Sequence, residues 1–213
     1  MLTSYNGKDL TEIVGAVYDC IADEMLWDET LDQLRKVSDS YLAMLGVIDT
    51  QTNGTRFVAA SGNKNALEHI TGIQAANFTF LRGNPSMEID RPYDMNALYE
   101  AQGPGSREKW VNSELYQNWV MPNAIVDCVW LPLVKSPSRD GHFVVVRGKE
   151  KGAVTDADIR MFSQIAPHLR RAVVIGDLFD TRPGKGEIFR DVIDALHSPV
   201  LIVSAEMQIL SPV

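Results

Sequence analysis

Nucleophilic, metal-assisted and acid–base chemistry depends on a few residue types set at suitable spacing, and this chain is poor in such settings. Its four histidines, His69, His142, His168 and His197, have no second histidine or cysteine at ligand spacing, so no zinc site is expected. His168, beside Arg170 and Arg171, reads as part of the solvated face of a helix. Cys20 and Cys128 lie far apart without a CxxC pairing and read as two reduced thiols; neither has a histidine placed to activate it. No phosphate-binding loop, GxGxxG, HExxH or GxSxG occurs, so neither a catalytic residue nor a cofactor is expected.

One constellation rises above this background. Glu114-Leu115-Tyr116-Gln117-Asn118-Trp119 is followed by Asp127 and Trp130, and Asp127 interrupts an otherwise apolar run from Ile125 to Val134. A carboxylate in such a run costs free energy unless it is paired. Two readings follow. In one, Tyr116, Trp119 and Trp130 surround Asp127 in a ligand pocket that hydrogen-bonds an amide or amine, with Tyr93 and Tyr99 as a lid. In the other, the aromatics are core contacts and Asp127 points outward at a strand edge.

The elements that must position these residues follow from periodicity. Leu10, Ile13, Val14, Val17, Tyr18 and Ile21 recur at helical spacing, and Leu31, Leu34 and Val37 mark a second helix after a connector holding Trp27. Residues 41–48 and 55–60 read as strands joined through Asn53-Gly54, a hairpin signal. A helix is expected over 65–77, a long irregular segment with one short helix and one edge strand over 78–105, and a helix over 113–120. Residues 125–134 and 141–147 form a second strand pair. Thr155 and Asp158 make a capping box, with Val154 and Ile159 at staple positions, opening a long helix over 156–179. Ile159, Phe162, Leu169 and Val173 lie on one stripe of that helix, suited to a relay or a dimer seam, and Pro167 should kink it. Thr181 to Gly186 reads as a linker, 188–196 as a helix and 200–203 as a strand. Hairpins flanked by helices imply an α+β fold, an antiparallel sheet with helical layers and a long C-terminal connector helix.

The chain has 213 residues, 45% of them apolar and 23% charged, the balance of a globular domain. A net charge of −8 opposes non-specific binding to a phosphate backbone. The N-terminus does not read as a signal peptide, and no stretch approaches the roughly 18 apolar residues of a membrane span, so a cytoplasmic location is expected.

Val17-Tyr18-Asp19 with Trp27 and Leu31 to Leu34, Ser113 to Trp119, and above all Ala166-Pro167-His168-Leu169-Arg170-Arg171-Ala172 resemble bacterial LuxR-type helix-turn-helix transcription regulators. The resemblance covers roughly residues 10–180, and order and spacing carry it more than any single motif. It implies a GAF- or autoinducer-domain-like sensor over 1–180. The remainder, 181–213, where 194–203 looks like the start of a PAS-like segment, would be a linker and the beginning of a second domain. The expected role is signal sensing for a transcription regulator, with a small-molecule effector, a homodimer, and no nucleic acid bound by this chain itself, since the DNA-reading part lies outside it. The alternative is a ligand-free dimerisation or interaction domain. The acyl-homoserine-lactone pocket pattern is not matched residue by residue, so that ligand class is not implied.

Overall fold

A computed structural model describes residues 7–52, 55–71, 87–179, 201–203 and 209–212. Helices α1 (Gly7–Ala22) and α2 (Trp27–Val37) are joined by a 3₁₀ turn, Glu24–Leu26, whose first N–H groups are capped by the Asp23 carboxylate at Met25 N (3.0 Å). Strands β1 (Leu42–Asp49) and β2 (Thr55–Gly62) follow, then α3 (Lys64–Thr71), α4 (Met95–Gln102) and α5 (Ser106–Val111). A π-helical turn, Tyr116–Val120, leads into β3 (Ile125–Lys135), β4 (Arg139–Gly148) and α6 (Asp156–Phe179). β5 (Leu201–Val203) and β6 (Ile209–Pro212) pair with each other.

The main sheet is antiparallel, in the order β2-β1-β4-β3. Both faces are covered, and the alternation of side chains along each strand separates two cores. Ala43, Leu45, Val129, Leu131, Phe143 and Val145 face α1, α2 and α6. Leu42, Met44, Cys128, Trp130, Val144 and Val146 face the layer built from α3, α4, α5 and the π turn. This double coverage explains why residues 128–134 are apolar almost without interruption: each face of the strand meets protein rather than solvent. β3 is nevertheless an edge strand. Pro132 can sit inside it because no further strand needs its missing N–H. The irregular chain before α4 meets that edge at an isolated bridge, Tyr93 to Trp130, with N–H···O distances of 2.8 Å in both directions, and at Asp90, whose N–H donates to the Pro132 carbonyl at 3.0 Å.

The capping box at α6 forms as the sequence implies. Thr155 N–H and Oγ1 donate to Asp158 Oδ2 at 2.8 and 2.7 Å, and Asp158 N–H donates back to Thr155 Oγ1 at 3.3 Å. The same carboxylate, buried, also pairs with Arg147 on β4 at 2.5 Å, so the cap fastens the helix to the sheet. The helix runs unbroken through Pro167. The carbonyl deprived of its donor belongs to Ser163, on the exposed face, where solvent can satisfy it.

Two expectations for this helix change. Phe162, Leu169 and Val173 face the chain's own sheet and α1, with Phe162 and Leu169 fully buried and Ile159 packed at the margin. The stripe is interior, so a seam between copies has to use another surface. His168 is not simply solvated: it is half-buried, with Nδ1 3.0 Å from the Tyr18 hydroxyl, and desolvation pushes its pKa down. The expected 65–77 helix is present as α3 up to Thr71, residues 72–86 lying outside the described residues, and residues 87–105 supply α4 and the Tyr93 bridge. The Asn53-Gly54 turn, the 181–186 linker and the 188–196 helix lie outside the described residues. No described helix is long and apolar enough to cross a membrane.

Candidate functional site

Between the sheet and the α4–α5–π-turn layer lies a cavity of about 400 Å³, within the size range of small-molecule pockets. Its floor is Met44, Cys128, Trp130, Val144 and Val146 of the sheet. α4 contributes Met95, Asn96 and Tyr99; α5 contributes Arg107, Trp110 and Val111. Leu115, Tyr116, Trp119 and Val120 close it from the π turn, a geometry that bulges a helix and is found disproportionately at functional sites. The floor is deeply buried, whereas Arg107, Val111 and Val126 are exposed, which places the mouth beside α5 and the start of β3.

The walls are held from outside the cavity. Trp119 donates its indole N–H to the Ala66 carbonyl of α3 (2.9 Å), fixing the π turn to that helix. Trp110 and Tyr116 meet edge to face, ring centres 6.0 Å apart. Asp94 caps α4 at Ala97 N (2.7 Å). The Trp130 ring packs against His142 at 4.5 Å, and its indole N–H is buried without a hydrogen-bond partner among the described residues.

Asp127 has a role that neither sequence reading contains. A bulge between Ile125 and Asp127 turns the exposed Val126 out and re-aims its neighbour. The buried Asp127 Oδ1 accepts from Met95 N (3.1 Å) and Cys128 N (2.8 Å), and Oδ2 accepts from Val154 N (2.8 Å). One carboxylate thus ties the start of α4, the strand β3 and the approach to α6. Three of its roughly four acceptor positions are taken by backbone donors. It does not point outward, and it is poorly placed to serve as the acceptor for a ligand amide or amine.

Of the six residues singled out for ligand binding, Tyr99, Tyr116, Trp119, Asp127 and Trp130 line this cavity. Tyr93 does not. Its ring is buried under the Arg91 guanidinium (5.2 Å), and its hydroxyl accepts from Glu88 N (2.8 Å), so it braces the loop before α4. Arg107 and Trp110 were not foreseen, because the interval 106–112 shows no helical period long enough to read. Cys128 Sγ lies 3.2 Å from Met95 Sδ, and burial drives its thiol pKa well up, as the nearby Asp127 charge also does. That thiol stays protonated and is a poor nucleophile. Burial pushes the Tyr99 hydroxyl up to about 12, so it too stays protonated. Among the described residues no group of histidines, cysteines and carboxylates is disposed to hold a metal ion.

The fold is that of GAF domains. The chain superposes on the LBD domain of VqsR from Pseudomonas aeruginosa with a TM-score of 0.55 at 10% identity, covering 82% of this chain and 99% of that one. It matches the phycocyanobilin-bound GAF domain of a cyanobacterial phytochrome with a TM-score of 0.52 at 12% identity, over 84% and 100% of the two chains. The GAF domain of a phosphoenolpyruvate-protein phosphotransferase from Coxiella burnetii gives 0.51 at 10% identity, over 81% and 97%. No known family model matches the sequence. No curated protein sequence matches it either.

Proposed function

We propose that this chain is a signal-sensing domain of a LuxR-type transcription regulator, in which a small molecule occupies the cavity and its presence is relayed through α6. The observation that carries the reading is the cavity itself: about 400 Å³, floored by the sheet and lined by three tryptophans and two tyrosines. Two fastenings reach α6 and its approach, one from the cavity wall and one from the loop before α4. Asp127 links β3 and α4 to Val154 at the approach to the helix, and Arg170 of α6 grips Asp90, in the loop before Tyr93, with Nε 2.8 and 3.1 Å from its two oxygens. Movement of α4 on binding would therefore be felt at both places. A ligand shifts such a system only through different affinity for two states. The LuxR assignment draws on the order of the sequence motifs and on the fold shared with the VqsR LBD domain. The protonated Cys128 thiol disfavours a covalently held ligand and a catalytic role.

The competing reading, a ligand-free dimerisation module, has no use for a hollow of this size and loses the α6 stripe as its seam. Ligand screening separates the two. Trp110, Trp119 and Trp130, three of the four tryptophans, line the cavity. A bound compound should change their emission with 1:1 saturation. At a hundredfold excess over Kd it should stabilise the fold by about 2.7 kcal/mol, a rise in melting temperature of about 5–10 °C. A screen of small apolar metabolites with no change in either signal would remove the sensing reading.

A further inference from the structure

We infer that the ligand of this cavity is an anion with an apolar or aromatic body, its acidic group held at the mouth by Arg107; this rests on the cavity being a ligand site, as proposed above. The polar groups of the wall divide sharply by what they still have to offer. Asp127, the wall's one carboxylate, is engaged by three backbone N–H groups. Those bonds occupy three of the roughly four positions with which it would accept from a ligand. Trp119 has spent its N–H on Ala66. Asn96 and the Tyr116 hydroxyl can both donate and accept; beyond them, what is left over is donors. The Arg107 guanidinium lines the cavity, and no hydrogen bond or ion pair to a described residue engages it. The Trp130 indole N–H is buried in the wall and unpartnered among the described residues. The Tyr99 hydroxyl, within reach of the Arg107 charge, keeps its proton and can donate as well.

A site whose one cation is unpaired and whose one carboxylate is occupied selects a ligand that carries an acidic acceptor. A cation or a primary amine would find no free carboxylate, and would meet Arg107 at the entrance. The distribution of burial sets the orientation. Arg107, Val111 and Val126 are exposed at the mouth, while Met44, Trp130, Val144 and Val146 form a buried apolar floor. The body of the ligand goes inward, and the acid stays at the rim. Guanidinium matches carboxylate geometry with two parallel N–H groups, so a carboxylate is well suited.

Matched sets test this with compounds of one shape and three charges: phenylacetate, phenylacetamide and phenethylamine, and octanoate, octanamide and octylamine. Titration calorimetry on the full chain should find the acid at least tenfold tighter than its amide, with the amine weakest. Because Arg107 is exposed, Arg107→Gln should fold as the parent does. It should weaken the acid about tenfold and leave the amide within twofold. Amides or amines that bind as well as the acids, or an Arg107→Gln variant with unchanged acid affinity, would overturn the anionic class. If neutral metabolites bind in the broader screen but no acid does, this inference falls and the sensing reading stands. If nothing binds in either experiment, both fall.

Discussion

Replacing Asp127 with alanine is expected to lower the unfolding free energy by about 3–5 kcal/mol: three hydrogen bonds to a charged group, each contributing about 1.5–3 kcal/mol, are lost at once, and relief from burying the carboxylate offsets part of that loss. Met95 N, Cys128 N and Val154 N would be left without acceptors, and they belong to three different segments. For a domain of this size the melting temperature should fall by roughly 6–20 °C. Asp127→Asn should fall between alanine and the parent. Its carbonyl can replace Oδ1 towards Met95 and Cys128, but its amide would set a donor against the Val154 N–H. Urea unfolding of the three proteins measures the series. A pocket acid that exists to bind ligand would behave oppositely, losing affinity with little change in stability. An alanine variant within about 1 kcal/mol of the parent would therefore contradict the clamp.

The second large effect is expected at Phe162. This ring is fully buried and lies 5.7 Å from Phe143 across the α6–sheet interface. Phe162→Ala should cost about 3–5 kcal/mol, in line with other buried phenylalanine truncations. That amounts to a fall of about 2 M in the urea midpoint for an m-value near 2 kcal/mol/M. Phe162→Glu would bury an unpaired carboxylate and should leave no cooperative thermal transition. Were the stripe a dimer seam, the same glutamate would give a well-folded monomer. Circular dichroism melts beside sedimentation velocity distinguish a lost fold from a lost partner. A folded, monomeric Phe162→Glu protein would contradict the interior position of the stripe.

The residues that were legible in the sequence share a physical reason. The runs 125–134 and 141–147 read as strands because a sheet covered on both faces needs apolar side chains on both. The start of α6 was readable because Thr155 and Asp158 satisfy local donors by type and spacing. What escaped was whatever depends on partners that carry no type signal. Asp127 announces that it needs partners, but these are backbone N–H groups, which nearly every residue has. Arg107 sits on a six-residue helix behind Gly103-Pro104-Gly105, too short for a period to show, and its significance comes from facing a hollow. Tyr93 and Tyr99 look equivalent in sequence and part company in space: one braces a loop, the other lines the cavity. The stripe on α6 was read correctly as apolar, but periodicity does not say which surface covers it.

The central claim is that the hollow beneath α4, α5 and the π turn is a binding site. Its most direct test is equilibrium titration with 8-anilinonaphthalene-1-sulfonate, an aromatic anion of the class inferred above, against the parent chain and a Val144→Phe/Val146→Phe variant whose new rings occupy the floor. Near-UV circular dichroism would first establish that both proteins are natively packed. The predicted result is one saturable site per chain in the parent, with energy transfer from the cavity tryptophans, and loss of that site in the filled variant. No saturable binding by the parent, or equal binding by the filled variant, would contradict it.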